Sequence, residues 1–109
     1  MIKQFKIAES QIKKLISPMG GCIASDKITV NGLLVGYMCR DKTFFEHDSG
    51  WRFFSGNEDQ EYIDDSRNSM IYEVNTIANY DSSIIPYLSL PVGTQLERVD
   101  NSGLFKIIS

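Results

Sequence analysis

Hydrophobic positions along this chain fall into short, interrupted groups, and each group predicts a modest element. Ile2, Phe5 and Ile7 predict a first strand with irregular spacing. Ile12, Leu15 and Ile16 recur at i, i+3 and i+4, which predicts a helix from Glu9 to Ile16. Ser17-Pro18 and Gly20-Gly21 end it.

The stretch CIASDKITVNGLLVGYMCR reads as a β-hairpin. Asn31-Gly32 fits a type I′ turn. Pairing Val30 with Leu33 puts Ala24, Ile28, Val30, Leu33, Val35, Tyr37 and Cys39 on one face. Asp26 falls on that apolar face, so a bulge or strand start is expected at Ser25-Asp26.

Trp51-Arg52-Phe53-Phe54 predicts a short strand bracketed by Ser49-Gly50 and Ser55-Gly56. Trp51 and Phe53 share one face, Arg52 and Phe54 the other. Burying both faces would make this strand central, and Arg52 would then need a carboxylate partner. Residues 41–50 read as a loop, and Asn57 to Asp65 as an acidic turn or short helix. Ile71 to Tyr80 supports two readings: one helical face, or a strand followed by a helix capped by Asn75. Asp81 caps a helix that Pro86 limits. Thr94 to Val99 and Leu104 to Ile108 predict two final strands joined around 100–103. The expected fold class is α+β: a mostly antiparallel sheet of about five strands with two or three short helices.

The 109 residues, 42% apolar and 23% charged, suit one domain over 1–109 and one core. The apolar runs are far too short to span a membrane, and the N-terminus lacks a signal-peptide pattern, so a cytoplasmic location is expected. Net charge is −3, but its distribution is uneven. Residues 1–40 carry six basic and two acidic side chains (+4), residues 41–65 two and eight (−6), and residues 66–109 three and four (−1). That argues against a basic nucleic-acid-binding surface and for an acidic face that meets a basic partner. In the hairpin register Cys22 is a diagonal neighbour of Cys39, beyond disulfide reach, so both thiols are expected to be free.

Little in the chain spells out catalysis. His47 is the lone histidine, and its neighbours Glu46 and Asp48 would point away from it, so a solvated loop histidine is expected and no metal site. Cys22 follows two glycines, yet a Cys–His enzyme would need His47 beside it. The glycine spacings match no phosphate-binding loop, and turns are the simpler use for them. No cofactor is implied. Trp51, Arg52, Glu58, Asp59, Glu61 and Tyr62 stand as the candidate partner-binding residues, the acids for charge and Tyr62 as an anchor. Phe53 and Phe54 fit the core better than Trp51 does.

Four segments carry a resemblance: GGCIASDKITVNGLLVGYM (20–38), DSGWRFFSGNEDQEY (48–62), NTIANYDSSIIPYL (75–88) and PVGTQLER (91–98). Together they resemble the bacterial immunity-protein domain of polymorphic toxin systems, of the immunity protein 33 type, once listed as a domain of unknown function. GWRFFSG and NTIANYD are its most distinctive strings, while DKTFFE (41–46) is more apolar than the family pattern. The resemblance implies a non-catalytic cytoplasmic protein that occludes a cognate toxin, and it carries over no catalytic residue. The competing reading is a small-molecule or peptide-binding regulatory domain in which Trp51 and Tyr62 line a pocket.

Overall fold

Asp48–Phe54 (β3) is buried on both faces, as a strand is when it has neighbours on both edges. A computed structural model, which describes residues 3–108, gives it that place. The other strands are Gly21–Ser25 (β1), Tyr37–Arg40 (β2), Ser69–Glu73 (β4), Gln95–Arg98 (β5) and Phe105–Ile107 (β6). Among the described residues they form one six-stranded sheet in the order β4-β1-β3-β2-β5-β6. Only β1 and β3 pair in parallel; the other four ladders are antiparallel. The helices are Asp26–Thr29 (α1), Gln60–Asp64 (α2) and Val74–Tyr80 (α3), with 3-10 turns at Glu9–Gln11, Ser66–Asn68 and Ser82–Tyr87.

One face of the sheet is the core. Trp51 and Phe53 stack with ring centroids 6.0 Å apart, beside Met38, Leu96, Cys22 and Ala24. Ile28 of α1, Val74, Ile77 and Ala78 of α3, and Ile84 and Leu88 close over them. Burying a side chain of the size of Phe53 stabilises the fold by about 1.5–3 kcal/mol. The buried Trp51 indole donates from Nε1 to Leu88 O at 3.1 Å, so its polar handle is satisfied.

The predicted hairpin does not form. β1 and β2 are separated by β3, and α1 lies between them in sequence. Ser25 ends β1 and caps α1, accepting from Lys27 N at 3.1 Å. Asn31-Gly32 then closes that helix. Gly32 has φ +79°, its N–H donates to Ile28 O at 3.0 Å, and Leu33 N donates to Lys27 O at 2.9 Å. The Gly32–Ile28 bond is the αL type of helix ending, which uses the same left-handed glycine as a type I′ turn.

The N-terminal expectations also fail. Residues 3–8 form no strand, and Ile2 lies outside the described residues. The helix predicted over Glu9 to Ile16 shrinks to the single turn Glu9–Gln11. Asn75 and Asn79, one turn apart on α3, hold the rest extended. Asn75 Oδ1 accepts from Leu15 N (2.8 Å) and Ile16 N (3.2 Å), and Asn79 Oδ1 from Lys13 N (2.9 Å). Both amides donate back to Lys13 O. Asn75 therefore sits inside the helix that follows β4, and Glu73 holds the capping position. Asp81 caps the 3-10 turn as expected, accepting from Ser83 N at 3.1 Å. It also accepts from Val35 N at 3.0 Å and pairs with Arg98.

Candidate functional site

The second face of the sheet is only partly covered. β1 contributes Ile23, β2 Tyr37 and Cys39, β3 Arg52 and Phe54, β4 Ile71, and β5 Gln95 and Glu97; the registers Ile71–Ile23–Arg52–Cys39–Gln95 and Phe54–Tyr37–Glu97 put them on one side. The loop before β3 stands at one end, with Phe44 72% exposed. Helix α2 stands at the other.

Arg52 is at the centre of this face, 7% exposed, and it has the carboxylate partner that its burial required. Asp48 receives it bidentately, Nη1 to Oδ1 at 2.9 Å and Nη2 to Oδ2 at 2.7 Å. In a regular strand residues i and i+4 are about 13 Å apart. Here β3 bulges. Between the pairs Gly21–Asp48 and Ile23–Arg52, β1 advances two residues and β3 four. Gly50 takes φ +91° within the bulge, and a Cβ there would lie 2.3 Å from Asp41 O. Asp48 also accepts from Gly50 N (2.8 Å) and Phe44 N (3.0 Å). The Arg52 hydrogen bonds outweigh burial and, with those two N–H groups, hold the Asp48 carboxyl down at about 2. The guanidinium carbon lies 5.0 Å from the Phe44 ring centre, so the ion pair also seats this loop.

Beyond Arg52 runs an open groove of about 580 Å³. Its floor is the cross-strand pair Tyr37–Phe54, ring centroids 6.0 Å apart. Ser55–Glu58 and Ile63 form one bank; Glu97, Asp100 and Asn101 form the other. Phe54, Glu58 and Ile63 also line a smaller adjoining hollow of about 230 Å³, which Tyr62 and Arg52 complete.

The predicted partner residues separate into four kinds. Trp51 has no exposed surface and faces the core, so it cannot touch a partner or share a pocket with Tyr62, which lies across the sheet. Arg52 supports the face from beneath. Glu58 and Asp59 are occupied by their own backbone. Glu58 accepts from Ser55 N (2.8 Å), Ser55 Oγ (3.0 Å) and Gly56 N (2.9 Å). Burial raises the Glu58 pKa, but hydrogen bonds from Ser25 and Ser55 outweigh it and leave it lowered. Asp59 caps α2 by accepting from Tyr62 N at 2.8 Å. Glu61 is exposed, and Tyr62 is half-buried with Lys27 Nζ 4.9 Å from its ring centre.

Sequence reasoning missed Tyr37 as groove floor, and it missed Ile63, Glu97, Asp100 and Phe44. The S-x-x-E spacing of Ser55 and Glu58 was a signal that this acid is a cap.

The other candidate chemistries do not assemble. The Cys22 thiol is fully buried and faces the core, and burial pushes its pKa up. The His47 side chain is 84% exposed beside Glu46. His47 meets β1 through its backbone oxygen, which accepts from Gly21 N at 2.7 Å. Both cysteines are free. The separation differs from the one expected: β3 stands between their strands, and Cys39 is on the open face. Among the described residues no three His, Cys, Asp or Glu side chains gather as a metal site. Nor does a buried side-chain polar atom there lack a hydrogen-bond partner. No helix among them is long and apolar enough to cross a membrane.

A family model described as the immunity protein Imm33 domain matches residues 22–109. No curated protein and no solved structure matches the chain.

Proposed function

As the chain belongs to the Imm33 immunity-protein domain family, we propose that it is a cytoplasmic, non-catalytic antagonist that binds a cognate bacterial toxin and neutralises it by occlusion. The observation that carries the choice of surface is the Tyr37–Phe54 groove, an aromatic floor between banks with exposed carboxylates. Glu97 and Asp100 are the exposed acids that line it, and Glu61 is exposed on the adjoining helix α2. An aromatic floor supplies desolvated contact area, and acidic banks steer a basic surface toward it. Glu61 and Tyr62 remain contact residues in this reading, joined by Phe44, Ile63, Glu97 and Asp100. Trp51 and Arg52 hold the face in shape.

The regulatory-domain reading has less support. It needs Trp51 and Tyr62 to line one pocket, and Trp51 is fully buried in the core on the other side of the sheet. Co-expression with a candidate toxin from a neighbouring gene tests the proposal. Restored growth and a co-purifying complex are expected. Continued growth arrest without a complex overturns it.

A further inference from the structure

Among the described residues β4 is an edge strand with none of the usual protection. It pairs with β1 over five consecutive residues without a bulge, contains no proline, and carries its single charge at its last residue, Glu73. Both of its faces are apolar at the surface: Ile71 is 57% exposed on the open side and Met70 41% on the other. Ile63 and Phe5 are further exposed apolar side chains, and Phe5 packs edge-on against Tyr72. The opposite edge differs. β6 has three residues with Lys106 in the middle, so self-pairing about its centre would set lysine against lysine.

The hydrogen-bond phase of β4 is fixed by Val74 N, which donates to Gly20 O at 3.1 Å. By antiparallel alternation Tyr72 and Met70 also bond inward to β1, and Ser69, Ile71 and Glu73 turn their backbone groups outward. Outside the β1–β4 ladder, no described residue bonds the Ile71 N–H or C=O.

We propose that β4 pairs antiparallel with β4 of a second copy of this chain, about a two-fold axis at Ile71. In that register Ile71 exchanges both backbone hydrogen bonds with its counterpart, and Glu73 N–H donates to the Ser69 carbonyl on each side. Ile71 then packs on Ile71, Met70 on Tyr72, and Ser69 faces Glu73, with no like charges opposed. The strand is its own complement, which is what an isologous interface requires and what an arbitrary partner strand would not supply. The result is one continuous sheet in which the two open faces lie side by side and both grooves stay uncovered. A single short edge falls below the ~800 Å² per partner of a standard interface, so the dimer dissociates in the micromolar range.

This dimer does not depend on the toxin. Sedimentation of the full chain over ~1–500 µM tests it. A shift from the 12.4 kDa chain mass to twice that mass is expected as concentration rises. Ile71→Lys and, on the other face, Met70→Glu each raise the dissociation constant at least tenfold, while Ile107→Lys on β6 leaves it unchanged. Circular dichroism confirms the fold of each variant. A single-chain mass at the highest concentration overturns the proposal. So does a dimer that survives both β4 changes, or one that Ile107→Lys dissolves.

Discussion

Asp48 and Arg52 stand four residues apart on one strand and still form a bidentate ion pair, because the bulge at Ser49-Gly50 brings them together. The pair is the keystone of the open face. Asp48→Asn leaves a buried guanidinium without its counter-charge and should cost about 3–5 kcal/mol. Urea denaturation measures the loss. Gly50→Ala should be comparably damaging, since its Cβ would lie 2.3 Å from Asp41 O.

The same pair makes the fold sensitive to acid. The Asp48 carboxyl lies near 3.8 in the unfolded chain and about 2 in the folded one. A depressed carboxylate stabilises the fold above the unfolded value and loses that contribution as pH falls through the folded one. Stability should therefore drop by about 2 kcal/mol between roughly pH 4 and pH 2. Urea midpoints across that window should show the drop in the natural protein and a flatter profile in Asp48→Asn.

Asn75 and Asn79 make a separate, local prediction. Replacing both with alanine strips the hydrogen bonds from Lys13, Leu15 and Ile16 while α3 keeps its buried face. Hydrogen exchange in residues 12–16 should quicken about tenfold or more, with β3 unchanged.

On the proposed toxin surface, charge and packing should act on different rates. Neutralising Glu61, Glu97 and Asp100 together should slow association and flatten its salt dependence. Glu58 and Asp59 are poor choices for this test, because their carboxylates hold their own backbone. Phe44→Ala should chiefly speed dissociation, by about tenfold. At 72% exposure its removal should cost no more than its contact with Arg52, about 0.5–1 kcal/mol. Stopped-flow kinetics with the cognate toxin separate the two effects.

How much of this was legible in the sequence follows from how local each signal is. β3 was readable because apolar residues on both faces, plus one arginine, admit little except a central strand with a buried ion pair. The two C-terminal strands were readable from alternation within a few residues, and the acidic stretch 57–65 was readable only as a turn or short helix. The segment from Cys22 to Leu33 misled because its cues are degenerate. Ala24 and Ile28 suit a strand alternating by two and a helix repeating at four, and Asn-Gly serves a tight hairpin or a helix ending equally well. The groove was hidden for another reason. Tyr37 and Phe54 meet only because β2 pairs with β3, and Glu97 joins them because β5 pairs with β2. Those partnerships are tertiary, and no local spacing encodes them.

The most direct test of the account is hydrogen–deuterium exchange of the chain with and without its cognate toxin. Slowed exchange at residues 41–46, 54–64 and 95–101 is predicted, with α3 unaffected. No change on adding toxin, or protection confined to α3 and residues 82–88 on the core-covering side, would contradict it.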